Sequence, residues 1–438
     1  MINRLLGAIS RRLQNFNKMS DQLAEVISKR PAQEDLGQDL KRVKVDESKD
    51  RKEASVKLPK RKKVALLTVY SGKNYHGCQV QTQQPHIATV EAAFVRALLE
   101  ADLITQEHVD DMSKMWFQRA SRTDKGVSAA GQVFSLLMRL DKEDIVERIN
   151  THLPTDIKVL AVKKATKNFD AKNNCSYRTY EYLCPTFAFA PLEEQTNEDF
   201  RISVEMVENV NQVMQTFKGT HNFHNFTSRR KPYDPSSKRY MMSFEAGKPF
   251  VLDGIEFLVI TIRGQSFMLH QIRKMIGLTM AVVRGFASTD TIELCWGPSK
   301  VDIPKAPALG LLLDKLHYDG YNKRFGSDGI HEPIDWLQYK KEIEKFKMEH
   351  IYADIMKTEK EEMGMFTWLK TLPLHSYQMY VDQPPNDSDE GNDEEKSSKF
   401  TSQQSNNSEA DKLSNAVSNS SETENVSNTL EQCVSSSA

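Results

Sequence analysis

Short apolar segments typical of β-strands alternate with amphipathic segments typical of α-helices, and this alternation constrains the fold more than any other feature. Strand patterns occur at 64–70, 132–138, 157–165, 176–184 and 257–264. Helix patterns with one apolar face occur at 89–100, 142–153, 206–217 and 269–286, and Thr89 is a plausible N-cap for the first. The interleaving predicts a mixed α/β (α+β) fold, although spacing alone does not fix the order of the strands.

The sequence on either side of this region has a different composition. Residues 30–63 are rich in charged side chains and contain no aromatic residue, and residues 381–438 are acidic and rich in Ser and Asn, so both are predicted to be disordered. A charged helical segment is predicted from about 333 to 372. We therefore divide the chain into an N-terminal segment (1–18), a charged segment (19–63), a folded domain (64–380) and an acidic tail (381–438).

Charge is divided unequally along the chain. Residues 381–438 carry twelve acidic residues and three lysines, a net charge of -9, which leaves +8 for residues 1–380 although the whole chain has a formal charge of -1. A basic body favours a polyanionic partner, but an ordinary basic enzyme with a solvated tail fits the charge equally well.

The N-terminal third contains two candidate targeting signals. Residues 1–18 hold four basic residues, no acidic residue and an apolar stripe at helical spacing, as in a mitochondrial presequence; the alternative is a disordered basic start. Met19 could serve as a second start that omits this segment. The run "PKRKKV" at 59–64 resembles a nuclear localisation signal, with a phosphate-contacting arm as the alternative. The sequence thus predicts both mitochondrial and nuclear targeting.

Cysteine usage and hydropathy give two further expectations. The five cysteines are scattered and odd in number, which favours reduced thiols in an intracellular compartment over a disulfide framework or a zinc site. No run of 18 apolar residues exists, so no membrane-spanning helix is expected.

The stretch "RASRTDKGVSAAGQV" at 119–133 concentrates polar groups before an apolar strand. Gly126 permits a sharp turn, so Asp124 is expected at the entrance of that strand, flanked in sequence by Arg122 and Lys125. A carboxylate between two cations stays ionised, which suits a nucleophile or an anionic base. Taken alone, the stretch favours a salt-bridged loop over an active site.

Four other motifs follow in a fixed order around that stretch: "YSGKNYHGCQ" (70–79), "RTYEYL" (178–183), "GTHNFHNFT" (219–227) and "GQSFMLHQIRKMIG" (264–277). Together, the five motifs resemble the TruA family of tRNA pseudouridine synthases over about residues 64–330. Further segments such as "HLPTDIKVL" and "GIHEPIDW" are similar to its eukaryotic nuclear and mitochondrial branch. The resemblance implies a two-lobed fold, with mainly antiparallel sheet, flanking helices and a central basic cleft for RNA. It also implies that the helices after about 333 are an extension that helps to cradle the substrate.

The resemblance assigns roles to four residues. Asp124 matches the family's essential aspartate, and Arg273 matches its basic partner. Tyr180 matches the active-site tyrosine, whose ring can stack on the target base and whose hydroxyl can take part in a late proton transfer. Arg122 is implied to help displace the uridine from its stack. Core packing for Tyr180 and simple phosphate contacts for the two arginines remain the alternatives, and Lys125 is grouped with the RNA-binding residues.

Further RNA contacts are predicted in the middle of the chain. His221 and His224 lie in the segment that the resemblance places around the RNA cleft, and Arg229, Arg230 and Lys238 lie in a basic loop suited to phosphate contact. A metal site at the two histidines is disfavoured, because no third ligand has suitable spacing. For each basic residue, a solvated loop position is the alternative.

The resemblance implies a cofactor-independent isomerase that converts uridine to pseudouridine in the anticodon stem of tRNA, and in other structured RNAs such as mRNA or small nuclear RNA. The alternative is a catalytically idle RNA-binding or RNA-folding protein on the same scaffold. tRNA is the expected partner, no membrane partner is expected, and the expected state is a monomer.

Overall fold

The computed structural model describes residues 60–84, 86–194, 196–228 and 230–379. Within them, ten strands form one sheet, in which the pairing is antiparallel except between one pair of strands. The strands are β1 (Lys62–Tyr70), β2 (Gln118–Arg119), β3 (Ser128–Met138), β4 (Ile157–Lys164), β5 (Tyr177–Pro185), β6 (Gly219–Asn222), β7 (Lys238–Ala246), β8 (Phe250–Leu252), β9 (Ile255–Gly264) and β10 (Leu311–His317).

The α-helices lie between these strands and after the last of them. They are α1 (Val90–Glu100), α2 (Gln106–Asp110), α3 (Ile145–His152), α4 (Val204–Gln215), α5 (Gln271–Val283), α6 (Asp290–Leu294), α7 (Asp319–Phe325), α8 (Lys340–Phe346), α9 (Ala353–Glu362) and α10 (Gly364–Leu369). A π-helical segment, Lys347–Tyr352, joins α8 to α9.

The strand order β4-β1-β3-β10-β5-β9-β7-β6 divides the sheet into two halves. The first half comes from residues 62–164 and the second from residues 177–264. β10 lies between them, parallel to β3 and antiparallel to β5, so it completes the main-chain pairing that joins the halves.

Each half builds its core from the apolar faces that the sequence pattern predicts. In the first half, the Thr89 side chain caps α1 by accepting from the Ala92 amide, and Phe94 packs on Phe134 with ring centroids 4.6 Å apart. In the second half, Val210 and Met214 are the fully buried face of α4. Burial of side chains of this size contributes about 1.5–3 kcal/mol each.

The helices after residue 333 are anchored to the sheet by buried charge. Lys347 Nζ lies 3.2 Å from both Glu181 Oε1 on β5 and Asp314 Oδ1 on β10. The Tyr352 hydroxyl donates to Glu181 Oε2 at 2.6 Å. Further along, the Ser71 hydroxyl donates to Asp354 of α9 at 3.1 Å.

The mixed α/β class is confirmed, and the strand and helix patterns predicted from the sequence correspond to β1, β3, β4, β5, β9, α1, α3, α4 and α5. β1 begins at Lys62, two residues before the start of the strand pattern at residue 64. Lys63, in the candidate nuclear signal, is buried and donates to the Trp116 carbonyl at 2.7 Å. Its side chain is therefore held inside the fold.

Other sequence predictions fall on residues that the structure does not describe. Residues 1–18, residues 19–59 and the tail from 381 to 438 lie outside the described residues. Over the ranges that are described, none of the helices has both the length and the apolar character needed to cross a bilayer.

Candidate active site

The loop before β3 presents Asp124 at the entrance of that strand. Gly126 adopts a positive φ of 77°, which costs a glycine little and which a residue with a Cβ would adopt only under strain. The Val127 amide donates to the Asp124 carbonyl at 3.1 Å, and the Gly126 amide donates to the Tyr75 carbonyl at 3.1 Å. The turn predicted at Gly126 is confirmed, and it sets the position from which the Asp124 side chain projects.

The segment 70–78 supports this loop from behind. The hydroxyl groups of Tyr70 and Thr123 are 2.9 Å apart, and the Cys78 amide donates to the Thr123 carbonyl at 3.2 Å. A Cβ on Gly72 would lie 2.3 Å from the Val127 carbonyl oxygen, so only glycine permits this approach. The "YSGKNYHGCQ" motif thus acts as the structural support of the Asp124 loop.

Asp124 lies on the wall of a cavity of about 730 Å³ at the junction of the two halves. The volume is in the range of small-molecule and cofactor sites. Among the described residues that line it, Asp124 is the single carboxylate, and seven are cationic: Arg119, Arg122, Lys172, Arg178, Arg230, Arg239 and Arg273. The positive charge of the cavity favours an anionic ligand, and Asp124 presents a carboxylate to that ligand.

The N-terminus of α5 brings two basic side chains to Asp124. Arg273 Nη1 lies 3.8 Å and His270 Nε2 lies 3.9 Å from Asp124 Oδ2. Ile272 and Met275 are buried, which turns Arg273 toward the cavity, where its Nε also donates to the Ala306 carbonyl at 2.7 Å. The structure therefore brings Arg273 and Asp124 together, as the motif interpretation required.

His270 is a member of the site that the sequence interpretation did not single out. It adopts a left-handed conformation with φ of 63°, directly before the first residue of α5. Desolvation lowers the pKa of His270, while the Asp124 carboxylate acts in the opposite direction. The net shift favours a neutral imidazole, which leaves Arg273 as the permanent cation beside Asp124.

Tyr180 belongs both to the core and to the cavity wall. It is buried, its hydroxyl lies 2.6 Å from the Ser121 hydroxyl, and its ring meets the edge of Phe267 at 5.1 Å. Burial raises the pKa of Tyr180, so the phenol stays protonated at neutral pH. Tyr180 therefore packs in the core and also faces the cavity, so its position is compatible with both the packing role and the active-site role.

Two buried polar side chains without a predicted role fix this arrangement. Gln132 on β3 donates from Nε2 to the Ser121 carbonyl at 2.7 Å and so holds the residue that contacts Tyr180. Arg178 on β5 donates to the carbonyls of Gln265 at 2.8 Å and Ala120 at 3.0 Å, which links β5 to two loops of the cavity wall. A glutamine inside the apolar run 127–138 is the sequence signal that could have revealed the first of them.

Comparisons with known sequences agree with the motifs. Residues 213–319 match the family model described as tRNA pseudouridine synthase. Pseudouridylate synthase 1 homolog from Mus musculus is 49% identical over 338 residues, covering 77% of this chain and 79% of the mouse protein. The Homo sapiens protein of the same name is 50% identical over 315 residues, covering 72% and 74% of the two chains. tRNA pseudouridine synthase 1 from Saccharomyces cerevisiae is 32% identical, with coverage of 74% and 77%.

The chain belongs to the tRNA pseudouridine synthase family. Proteins with this name are isomerases, and the family resemblance drawn from the five motifs is confirmed. The ten-stranded, mainly antiparallel sheet agrees with the fold expected of a pseudouridine synthase.

In this pseudouridine synthase family member, Arg122 and Lys125 lie on the solvent-exposed side of the loop that carries Asp124. Both are exposed; Arg122 lines the 730 Å³ cavity and also a second cavity of about 440 Å³, whereas Lys125 lines only the second. In the described residues, the basic side chains recorded within 4 Å of the Asp124 carboxylate are His270 and Arg273 at the start of α5, and not these sequence neighbours.

The two predicted histidines lie apart from the cavity that Asp124 lines. His221 stacks on Trp296 with ring centroids 4.5 Å apart, and His224 is fully buried with both ring nitrogens unpaired by hydrogen bonds. Desolvation lowers the pKa of His224. A direct RNA contact by the His224 side chain does not fit this burial. Across the described residues, no three His, Cys, Asp or Glu side chains are grouped as a metal site requires.

The basic loop of this pseudouridine synthase family member contributes unevenly to the cavity. Arg230 lines the cavity and is paired with Asp234 at 2.8 Å. Lys238 is exposed at the first residue of β7 and lies outside the set of residues that line the cavity; its neighbour Arg239 lies within that set. Arg229 lies outside the described residues.

Proposed function

We propose that this protein is a tRNA pseudouridine synthase that isomerises uridine in tRNA by means of Asp124. The observation that carries the proposal is the position of Asp124, the single carboxylate among the described lining residues of a cavity with seven cationic side chains. The names of the relatives support tRNA as the substrate class.

The reaction requires no external redox partner. The N1–C1′ bond of uridine breaks, the base turns, and a C5–C1′ bond forms; the proton on C5 is lost, and N1 ends with a proton. Asp124, held 3.8 Å from Arg273, is suited to act as nucleophile or anionic base during glycosidic cleavage. Both choices are compatible with the geometry of the side chain.

Tyr180 has two uses in such a cycle. The ring can stack on the target base from the cavity wall, and the protonated hydroxyl, 2.6 Å from Ser121, can relay a proton during the C5 step. Its buried position means that the base must enter the cavity to reach it. A uridine in a stem must therefore leave its stack, which is the role proposed for the exposed Arg122.

The cationic lining suits the phosphates on either side of the target. Phosphate contacts provide most of the affinity in protein–RNA complexes of this kind, so binding is expected to weaken steeply as salt is raised. We extend the proposed substrates to uridines of the anticodon stem and to other structured RNAs, including mRNA and small nuclear RNA, bound by a monomer.

A catalytically idle RNA-binding protein is the second candidate. It would need the cationic cavity but not the Asp124–Arg273 pair or a tyrosine beside them. The presence of all three on one cavity favours the enzyme.

Substitution of Asp124 separates these candidates. Asp124→Ala and Asp124→Asn are expected to abolish tritium release from tRNA labelled at uridine C5, while the Kd for tRNA changes less than about threefold, because phosphate contacts remain. Asp253→Asn is a matched control, since Asp253 is an exposed residue with a side chain 64% exposed. Pseudouridine formation by either Asp124 variant would refute the assignment.

We also propose that the protein acts in both the nucleus and the mitochondrion. The support is the basic amphipathic sequence of residues 1–18 and the run of four basic residues at 60–63. A reporter carrying residues 1–30 is expected in mitochondria, and one carrying residues 19–64 in the nucleus. Uniform cytosolic signal from both reporters would contradict the proposal.

A further inference from the structure

A second cavity adjoins the one that Asp124 lines. It has a volume of about 440 Å³, and it shares Gln79, Arg122, Thr123, Asp124 and Leu269 with the 730 Å³ cavity. The shared residues form a common wall, so a ligand that fills the first cavity has the second directly beside it.

The lining of the second cavity is rich in amide side chains. Gln79, Gln81, Gln83 and Gln84 all line it, and all four are exposed. A carboxamide offers a donor pair and an acceptor, which matches the hydrogen-bonding edge of a nucleobase without adding charge. Backbone hydrogen bonds hold the segment, with the Gln84 amide donating to the Gln81 carbonyl at 3.0 Å.

Two cations also line this second cavity. Arg122 and Lys125 both line it, and both side chains are exposed to solvent. A cavity lined by both amides and cations has the chemistry of a nucleotide site, where amides contact the base and a cation contacts its phosphate.

Leu269 occupies the wall between the cavities. Its side chain is 57% exposed, an unusual position for a large apolar residue at the edge of a polar cleft. The left-handed conformation of His270 and the hydrogen bond from the Met268 amide to Gln271 Oε1 (2.9 Å) fix its backbone on both sides. An apolar side chain in this place can pack on the face of a base or fill the gap left by a displaced one.

We infer that the second cavity is a nucleotide subsite that holds the neighbour of the target uridine in the RNA strand. The glutamine amides contact its base edge, Lys125 contacts the phosphate, and Leu269 separates it from the target base. The inference rests on the proposed function, because it takes the first cavity as the site of the uridine.

The test uses tRNA transcripts that differ only in the nucleotide on one side of the target, with pairing preserved. We expect wild-type kcat/KM to vary at least about fivefold among the four bases on one side, as amide contacts to base edges discriminate by this amount or more. The double variant Gln83→Leu/Gln84→Leu should bring the four values within about twofold, with the slowest substrate unchanged. Gln215→Leu, an exposed glutamine on α4, is the matched control and should keep the wild-type ratios.

A binding measurement makes the test independent of catalysis. In the Asp124→Ala background, removal of the neighbouring base is expected to weaken RNA binding roughly tenfold, and Leu269→Ala should remove most of that difference. Three results would each overturn the inference. The wild-type enzyme could show no preference for the neighbouring base, or the glutamine double variant could keep that preference. The Leu269→Ala protein could also still bind the abasic RNA more weakly than the intact RNA. Failure of the wild type to modify any transcript would instead refute the proposed function, and a base-dependent affinity would then identify an RNA-binding subsite without catalysis.

Discussion

Lys347 gives the sharpest stability prediction. Its side chain is 3% exposed, and Nζ lies 3.2 Å from each of three carboxylates, those of Glu181, Asp314 and Glu344. Lys347→Met keeps the length and packing of the side chain but leaves three carboxylates without their shared cation. Removal of one partner from a buried ion pair typically costs about 3–5 kcal/mol, and we expect the free energy of unfolding to fall by that amount.

Chemical denaturation and calorimetry measure this loss. A change of 1 kcal/mol shifts Tm by about 2–4 °C in domains of 150–250 residues, so a fall of roughly 5–15 °C is expected in this larger one. Lys345→Met is the matched control, because that lysine is 73% exposed and lies 3.9 Å from Glu349. Its Tm should stay within about 1 °C of wild type, as exposed ion pairs contribute little.

A second substitution shows whether charge is the cause. Glu181→Gln in the Lys347→Met background removes one of the uncompensated carboxylates and should recover a large part of the loss. A Lys347→Met protein whose free energy of unfolding falls by less than about 1 kcal/mol would refute the reasoning, since breaking a buried ion pair is expected to destabilise the fold by more than this. The same refutation follows if Glu181→Gln deepens the loss.

Three further predictions concern the same face of the sheet and the active site. Burial, followed by the charge of Asp314, raises the pKa of Glu181 to about 7, so the folded state binds a proton that the unfolded state releases above about 4.5. This contribution to stability is present at pH 4.5 and lost as the pH rises through 7, and Glu181→Gln should flatten the fall in urea midpoint between pH 5 and 8. Tyr180→Phe keeps the ring but removes the hydroxyl, and kcat for pseudouridine formation should fall about 100-fold or more while the Kd for tRNA is unchanged. Gln132→Leu leaves the Ser121 carbonyl without its donor, which should cost about 1–3 kcal/mol by thermal denaturation and lower kcat; equal activity and stability to wild type would contradict the positioning role.

The local part of the fold could be predicted from the sequence. The helices α1 and α5 carry an apolar face at regular spacing, and the turn at Gly126 follows from a backbone requirement that glycine meets. β10 was not predicted from its sequence "LLLDKLH", because the three leucines at its start are a short apolar run, which does not distinguish strand from helix. Its partners, β3 and β5, lie more than 120 residues earlier in the chain.

Only some of the active-site residues could likewise be predicted from the sequence. Asp124, Tyr180 and Arg273 could be proposed because each lies in a motif with a family counterpart. Arg178 and His270 could not, because their roles depend on contacts between distant segments, such as the bond from Arg178 to the Gln265 carbonyl. The sequence pattern also did not predict the burial of His224 and Lys63, because histidine and lysine side chains usually face solvent.

The central position of β10 has a consequence for synthesis on the ribosome. Asp124 comes from the first half of the sheet and Tyr180 from the second, and the strand that pairs with both halves is the last of the ten in the described chain. Each half contains mainly near-neighbour pairings and can begin to fold as it emerges, whereas closure by β10 requires a long loop to be ordered. The main-chain pairing that joins the Asp124 half to the Tyr180 half can therefore be completed only after residue 317 has left the exit tunnel.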